Sequence, residues 1–288
     1  MRLTRRQRLL LFAPLTLVLG LGLVGPAVLG LLGTFTTYAP GQTAIRLAGF
    51  NNYAAVLRDH VFAASIRNIA VFTLAAVPLE LVIGFGLAYV LRRPMRGRGL
   101  WRLLLLIPWL VSPIASGVMW HFLFASGQGI FDFVSASLGL REGPSPLSQH
   151  GLALLTTVLV EVWRVAPLVA FLLLPGLVAI PVENWEHATI EGASWLAKIR
   201  HVVLPAIRPL ALAVTMLLVG LALGTFDAVL ILTGGGPGTE TVTPALYSYA
   251  AAFQVNNWPV GSASAWLIAG AVLVIGSLYL WLARSEPA

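Results

Sequence analysis

Apolar residues gather into six runs, each long enough to cross the hydrocarbon core of a bilayer, which takes about 20 helical residues. The runs are roughly Leu9–Phe35, Ile69–Leu91, Leu103–Phe124, Leu152–Ile180, Leu210–Leu232 and Ala263–Leu282. None shows the alternation of a barrel strand, so the pattern predicts an all-α membrane protein of six transmembrane helices. Two polar intervals stand out. Residues 181–208 read as two short helices: Pro181 starts the first, Glu183 and Glu186 suit its positive end, Gly192 breaks it, and Pro205 stops a second helix over about 193–203. Thr233–Gly261 opens with Gly234-Gly235-Gly236-Pro237-Gly238, which predicts a tight turn or irregular backbone.

Composition agrees with the pattern. Hydrophobic residues make up 58% of the 288 and charged residues 10%, against roughly 25% charged in soluble domains. Too little polar surface exists to cover such a chain in water. No Cys is present, which excludes disulfides, thiolate metal sites and cysteine nucleophiles. The net charge of +7 is not a nucleic-acid signature, because the basic residues sit in short segments beside apolar runs. The first run, about 27 residues, is too long for a signal-peptide core and has no cleavage site after it, so the helix is expected to be retained.

The basic residues also orient the chain. With the N-terminus inside, the cytoplasmic segments hold Arg2, Arg5, Arg6, Arg8, Arg92, Arg93, Arg96, Arg98, Arg102, Lys198, Arg200, Arg208 and Arg284. The outer segments hold only Arg46, Arg58, Arg67 and Arg141. Both termini are therefore expected in the cytoplasm: segment 1–8, a spanning domain over 9–284, and a tail over 285–288.

Candidate chemistry is sparse. The single lysine, Lys198, is followed by Ile199, so no Gly-Lys-Ser/Thr phosphate loop exists and the chain is not expected to hydrolyse ATP. No two of the five His stand at i, i+4 beside a carboxylate, so no metal site is expected, and no Ser sits in a nucleophile elbow. Four ionisable residues fall inside spans: Glu80, Glu161, Arg164 and Asp227. Each costs roughly 2.5–3.5 kcal/mol or more against lipid, so each should face protein or water. Glu161 and Arg164, at i, i+3, can pair as a structural element or line a pathway. Asp227 could meet solute hydroxyls, cap a helix or bond between helices. Trp101, Trp109, Trp120, Trp163, Trp258 and Trp266 read as interfacial belt residues, with a stacked sugar as the other reading.

Residues 183–209, ENWEHATIEGASWLAKIRHVVLPAIRP, resemble the cytoplasmic EAA loop of binding-protein-dependent ABC importer permeases. Glu186-His187-Ala188 stands for Glu-Ala-Ala, with His187 departing from the usual alanine; Gly192 and the following Ala193 stand at the loop's glycine, and Leu204-Pro205 at its closing pair. The resemblance extends through LAGFNNYAAVLRD (47–59), IPWLVSPIASGVMW (107–120), VEVWRVAPLVAFLLLPGLVAIP (160–181) and FDAVLILTGGGPGTETVTPALYSYAAAF (226–253), which are similar to segments of the sugar-type members. It implies a type I importer permease fold, resembling the first permease of a heterodimer of the maltose and glycerol-3-phosphate type. Implied partners are a second homologous permease, two cytosolic ATPases docked on the loop at 181–208, an extracytoplasmic solute-binding protein and the lipid bilayer, with no nucleic acid. No cofactor is expected on this chain, ATP and Mg²⁺ being used by the ATPases. The small and polar residues Ser112, Ser116, Gly117, Gly220, Gly224 and Asp227 are the expected lining of a pathway near the heterodimer axis. The competing reading is an ion-coupled secondary transporter, which would show inverted repeats and broken helices.

Overall fold

A computed structural model describes residues 12–14, 16–37, 46–125, 129–137 and 144–284. Segments 1–8 and 285–288 lie outside the described residues. The helices are α1 (Phe12–Gly33), α2 (Asn51–Arg58), α3 (His60–Leu91), α4 (Arg98–Leu110), α5 (Pro113–Phe124), α6 (Ile130–Ser137), α7 (Leu152–Val178), α8 (Val182–Ile190), α9 (Trp195–Leu223), α10 (Asp227–Leu232), α11 (Pro244–Tyr249) and α12 (Trp258–Arg284). Five of them, α1, α3, α7, α9 and α12, are long and apolar enough to cross a membrane, and the bent pair α4 and α5 makes a sixth candidate span. The chain divides into two compact units.

One unit comprises residues up to Ala63 together with Tyr247–Ala271. Asn52 ties the end of α1 to α2, its side-chain amide donating to the Thr34 and Thr36 carbonyls at 2.7 and 2.9 Å. Thr34 also bonds the Tyr53 hydroxyl at 3.0 Å, and Phe35, Phe50 and Tyr53 pack their rings around that junction. A two-residue antiparallel pairing, Thr36–Thr37 with Arg46–Leu47, closes the segment between α1 and α2. Tyr247 donates to Asp59 Oδ2 at 2.7 Å and stacks edge-on against Phe62.

The other unit, Ala64–Leu246 with Val272–Ala288, contains the principal core. Its centre is α7, where Val165, Val169, Leu173 and Leu177 are almost fully buried. They pack with Phe72 of α3 and with Val203, Ile207 and Leu218 of α9. Small residues permit the close approaches. A Cβ at Gly84 of α3 would lie 2.5 Å from Val169 and 2.9 Å from the Ala166 carbonyl, so α3 meets the α7 backbone there with no room for a side chain. This is how membrane helices associate when apolar burial offers no advantage over lipid.

Three expectations need correction. The run Leu103–Phe124 is not one helix: it bends by 88° between Leu110 and Pro113. Pro113 forces Ser112 into extended backbone, and Ser112 Oγ then caps α5 by accepting the Ala115 amide at 3.2 Å. The run Leu210–Leu232 is likewise interrupted, α9 ending at Gly224 and α10 starting at Asp227, with Thr225 and Phe226 between. Finally, Pro205 does not stop a helix. A π-turn over Ile199–Val203, closed by the Leu204 amide on the Ile199 carbonyl, widens the backbone just ahead of the proline, and the helix runs on to Leu223. Within the continuing helix Pro205 has no N–H to donate, so one rung of the backbone ladder is missing at the π-turn.

The glycine-rich segment 233–242 is knotted by hydroxyls. Thr241, fully buried, bonds Thr233 at 2.7 Å and donates to the Gly236 carbonyl at 2.9 Å. Asn68 of α3 donates to the Thr239 and Val242 carbonyls at 2.7 and 3.1 Å. Glu240 accepts the Gly151 amide at 2.9 Å and pairs with His150 Nδ1 at 2.8 Å, fastening the segment to the start of α7. These bonds, the Gly151 amide first, favour the ionised carboxylate and hold its pKa below the ordinary value.

Gly84→Ala is expected to destabilise the detergent-solubilised protein by about 1–3 kcal/mol through overpacking. Gly86→Ala, where a Cβ meets open space in the interior of α3, should instead be neutral or stabilise by up to about 1 kcal/mol through helix propensity; thermal unfolding compares the two. The Glu240 clasp gives a pH prediction of definite sign. Because the folded carboxyl has the lower pKa, its stabilisation is complete above the ordinary value of 4.5 and is lost as pH falls through the lowered one. Hydrogen exchange at the Gly151 amide, corrected for intrinsic rate, should lose protection over that window, and Glu240→Gln should abolish the dependence.

Candidate functional site

Two constructions in the larger unit concentrate the polar chemistry. The first is a cavity of about 460 Å³ where both helix interruptions meet α7, lined by Trp109, Ser112, Glu161, Arg164, Gly224, Thr225, Phe226 and Asp227 with flanking apolar residues. The breaks are why it exists: at 110–113 and 224–226 the backbone leaves the helical register and turns aside, opening space beside α7. Thr225 lies in the interruption itself, and Asp227 stands in the first turn of α10, where a carboxylate suits the helix dipole.

Glu161 and Arg164 form the cavity's charged wall. Arg164 Nη2 donates to Glu161 Oε1 at 2.6 Å and Nε to Oε2 at 3.2 Å, a two-pronged pair on one face of α7. Both residues are less than 10% exposed. The Arg164 guanidinium also lies 5.3 Å from the centre of the Trp109 ring. Removing one partner of such a pair strands a buried charge, at a cost of about 3–5 kcal/mol. Glu80, buried on α3, is close enough to feel both charges. Asp227 is half-buried and has no ion-pair partner among the described residues, so it is the carboxylate available to a polar solute.

Of the residues expected along a pathway, Ser112, Gly224 and Asp227 line the cavity. Ser116 and Gly117 do not. Ser116 is fully buried, and a Cβ at Gly117 would sit 3.0 Å from Ile231 and 3.2 Å from the Ala228 carbonyl, so Gly117 serves the close packing of α5 on α10. Gly220 lies outside the lining. Trp109, read above as a belt residue, lines the cavity, as do Thr225 and Phe226, which were not singled out. The signals that could have found them were Ser-Pro at 112–113 and the Gly-Thr-Phe-Asp step at 224–227.

The second construction is the helical turn at 181–208. Helix α8 ends in a Schellman turn: the Ala193 amide bonds the Ala188 carbonyl at 2.9 Å and the Gly192 amide bonds Thr189 at 3.0 Å, with Gly192 at φ +71°. Ser194 caps the next helix by accepting the Ala197 amide at 3.3 Å, and Lys198 Nζ donates to Thr189 Oγ1 at 2.8 Å, bracing one helix on the other. Ala188 is the buried anchor of α8, Ala193 is half-buried, and Glu186 and His187 are exposed. Leu204 and Pro205 are exposed within α9. Ile199 is turned into the chain's own core, and Trp185 packs on Tyr89 and Arg92. The uncovered large apolar side chains of this turn are Val182, Ile190, Trp195, Leu196 and Leu204.

Comparisons with known proteins agree with this arrangement. Residues 80–285 match the family model described as the binding-protein-dependent transport system inner membrane component. The chain is 32% identical over 270 residues to a probable ABC transporter permease of Sinorhizobium fredii, covering 93% of this chain and 86% of that one. It is 32% identical over 267 residues to the trehalose/maltose transport system permease of Thermococcus litoralis, covering 89% and 88%. Among solved structures it superposes on a chain of a bacterial ABC transporter involved in the import of alginate, with a TM-score of 0.82, 19% identity, and 97% and 96% of the two chains covered. With one bent span and five continuous ones in the importer-permease fold, and two relatives matched over nearly their whole length, the chain belongs to the family of binding-protein-dependent transport system inner membrane components.

Proposed function

We propose that this chain is one of two permease subunits of an ATP-driven importer for a carbohydrate or related polar solute, such as a sugar, an oligosaccharide or glycerol-3-phosphate. An extracytoplasmic binding protein delivers the solute, and two cytosolic ATPases dock on the turn at 181–208 and carry the nucleotide chemistry. The observation that carries this reading is the cavity at the two helix interruptions. Backbone can leave helical register at membrane depth only where protein or water satisfies it, and here the interruptions surround a polar cleft. An aromatic face (Trp109), a hydroxyl (Thr225) and a carboxylate with no ion-pair partner among the described residues (Asp227) are groups that suit a polyol, whose C–H face stacks and whose hydroxyls donate. The relationship to a trehalose/maltose permease supports the solute class.

The same chain is proposed to hold both termini in the cytoplasm, with Glu186, His187, Ala188, Gly192, Ala193, Leu204 and Pro205 forming the ATPase-docking element. The exposed Ile190, Trp195 and Leu196 add an apolar surface suited to a cleft in the ATPase. Broken helices also favour an ion-coupled transporter, and the energy source separates the two readings.

Single cysteines test the topology, since none is native. Cys at Arg96 or Arg200 should label only from the cytoplasmic side and Cys at Ser148 only from outside; outside labelling at Arg96 would overturn the orientation. Ser148 is exposed, whereas Thr241 in the other outer segment is fully buried.

Function is tested by reconstituting the complete complex in proteoliposomes with trehalose and maltose as probes. Uptake should require ATP and binding protein and ignore proton and sodium gradients. Gly192→Asp, which places a side chain at φ +71°, and Glu186→Lys should each abolish uptake, with the ATPases lost or hydrolysis uncoupled. Gradient-driven uptake without ATP would sink the importer reading, and wild-type uptake in both variants would sink the docking role.

A further inference from the structure

The helical turn at 181–208 is joined covalently to two spans: α8 follows α7 through Ala179–Pro181, and the second helix of the turn is the start of α9. A third connection is noncovalent. Arg92 lies one residue beyond α3, and its guanidinium sits between two aromatic faces. Its carbon is 4.3 Å from the centre of the Tyr89 ring on the last turn of α3 and 3.8 Å from the Trp185 ring on α8. Tyr89 in turn meets Trp185 and Trp195 edge-on, at 6.2 and 6.1 Å between ring centres. Tyr89 is 9% exposed, and Arg92 Nε is buried with no hydrogen-bond acceptor among the described residues. The neighbouring Arg93 and Arg96 are exposed, whereas Arg92 is folded against Trp185 of the turn.

A salt bridge would be the ordinary way to engage an arginine on an acidic helix such as α8. Here Glu183 and Glu186 are exposed and make no ion pair with Arg92. The guanidinium is instead spent on ring faces, an attraction that strengthens when desolvated. A cation over a ring holds two elements at a fixed spacing while tolerating lateral slip, which a two-pronged carboxylate pair does not. Space for such slip lies alongside: a cavity of about 370 Å³ bounded by Arg92, Trp185, Leu177, Ile180 and Val182.

We infer that Arg92 is the positioning residue that latches α8 to the end of α3, so that displacement of the turn by the ATPase is delivered to a third transmembrane helix. This deepens the importer reading and rests on it. Arg92 lies outside the lining of the cleft at the helix interruptions. Its loss should therefore leave assembly and hydrolysis in place and lower the solute moved per ATP. Couplings between sites correspond to roughly 5- to 150-fold effects, and uptake per ATP in Arg92→Gln is expected to fall by roughly 5- to 50-fold, within that range.

The test uses the complete reconstituted complex. For wild type, Arg92→Gln, Arg92→Lys, Trp185→Leu, Trp185→Phe and the Arg92→Gln/Trp185→Leu double variant, three quantities are measured: ATPase subunits retained, binding-protein-stimulated hydrolysis, and uptake of trehalose and maltose. Arg92→Gln and Trp185→Leu should each uncouple hydrolysis from uptake. Lys and Phe, which keep a cation and a ring, should restore most of the ratio. The double variant should be no worse than either single one, because both remove the same contact. Should Arg92→Gln shed its ATPases, the milder series decides: Trp185→Phe coupled and Trp185→Leu uncoupled supports the latch. Wild-type uptake per ATP in Trp185→Leu, additive losses in the double variant, or Arg92→Lys as damaged as Arg92→Gln would each overturn it. Absence of ATP-driven uptake in the wild-type complex is a different failure, that of the importer reading itself.

Discussion

Hydrogen bonding of the backbone in the absence of water is the constraint on which this structure depends. Within a bilayer an unpaired N–H or C=O costs several kcal/mol, so spanning segments are continuous helices unless something else satisfies them. Five spans obey the rule as uninterrupted helices, and the exceptions fall at 110–113 and at 224–226. At each exception the orphaned groups find partners: Ser112 Oγ takes the Ala115 amide, the Thr225 amide reaches the Ala222 carbonyl, and Thr243 donates to the Thr225 carbonyl at 2.8 Å. The interruptions are thus stabilised locally, and the cleft between them is a consequence of that stabilisation rather than a defect in packing.

The same constraint explains the company the charges keep. Glu161 and Arg164 are on the most buried helix, α7, and neutralise one another there; Glu80 adds a third ionisable group beside them. Lipid would penalise each of them, and a wet or protein-lined cleft is the environment that accepts them. The polar wall and the helix breaks therefore require each other. At the end of the molecule bearing the helical turn the logic changes from hydrogen bonds to shape. A left-handed glycine, a serine cap and a lysine–threonine brace fold α8 back on the start of α9, so this turn is a braced corner rather than a loose connection.

Much of this was legible in the residues. Apolar run length finds the spans, because nothing but the bilayer demands twenty such residues together. The positive φ of Gly192 could be anticipated from its place after a short helix, and the structure adds the paired bonds of Ala193 and Gly192 that require it. Breaks inside spans were only weakly marked: Ser112-Pro113 and Gly224-Thr225 punctuate runs as apolar as an intact helix, and proline occurs unbroken elsewhere, at Pro78 in α3 and at Pro167 and Pro175 in α7. Hydropathy also says nothing of which face of a helix meets its neighbours. In the turn Trp185 and Ile199 are directed inward, whereas Ile190 and Leu196 are bare. Among the small residues, Gly117 and Gly224 carry the same composition signal and differ only in whether a neighbouring helix or a cleft lies opposite.

The persistence of α9 through Pro205 and Pro209 has a mechanical corollary. From Trp195 to Leu223 the chain is one rod of 29 residues, about 43 Å long at 1.5 Å per residue. One end is held in the helical turn and the other stops beside the cleft. A tilt of about 5° about its middle would carry each tip through about 2 Å, enough to widen or pinch a space the size of a hydroxyl group. The rod also has phase. Each residue added or removed along it would rotate one end against the other by about 100°, turning the Gly224 break away from α7 while leaving every local contact of the turn intact. The length of α9 is therefore a quantity as specific as any side chain on it, set by the angle at which two distant surfaces must face.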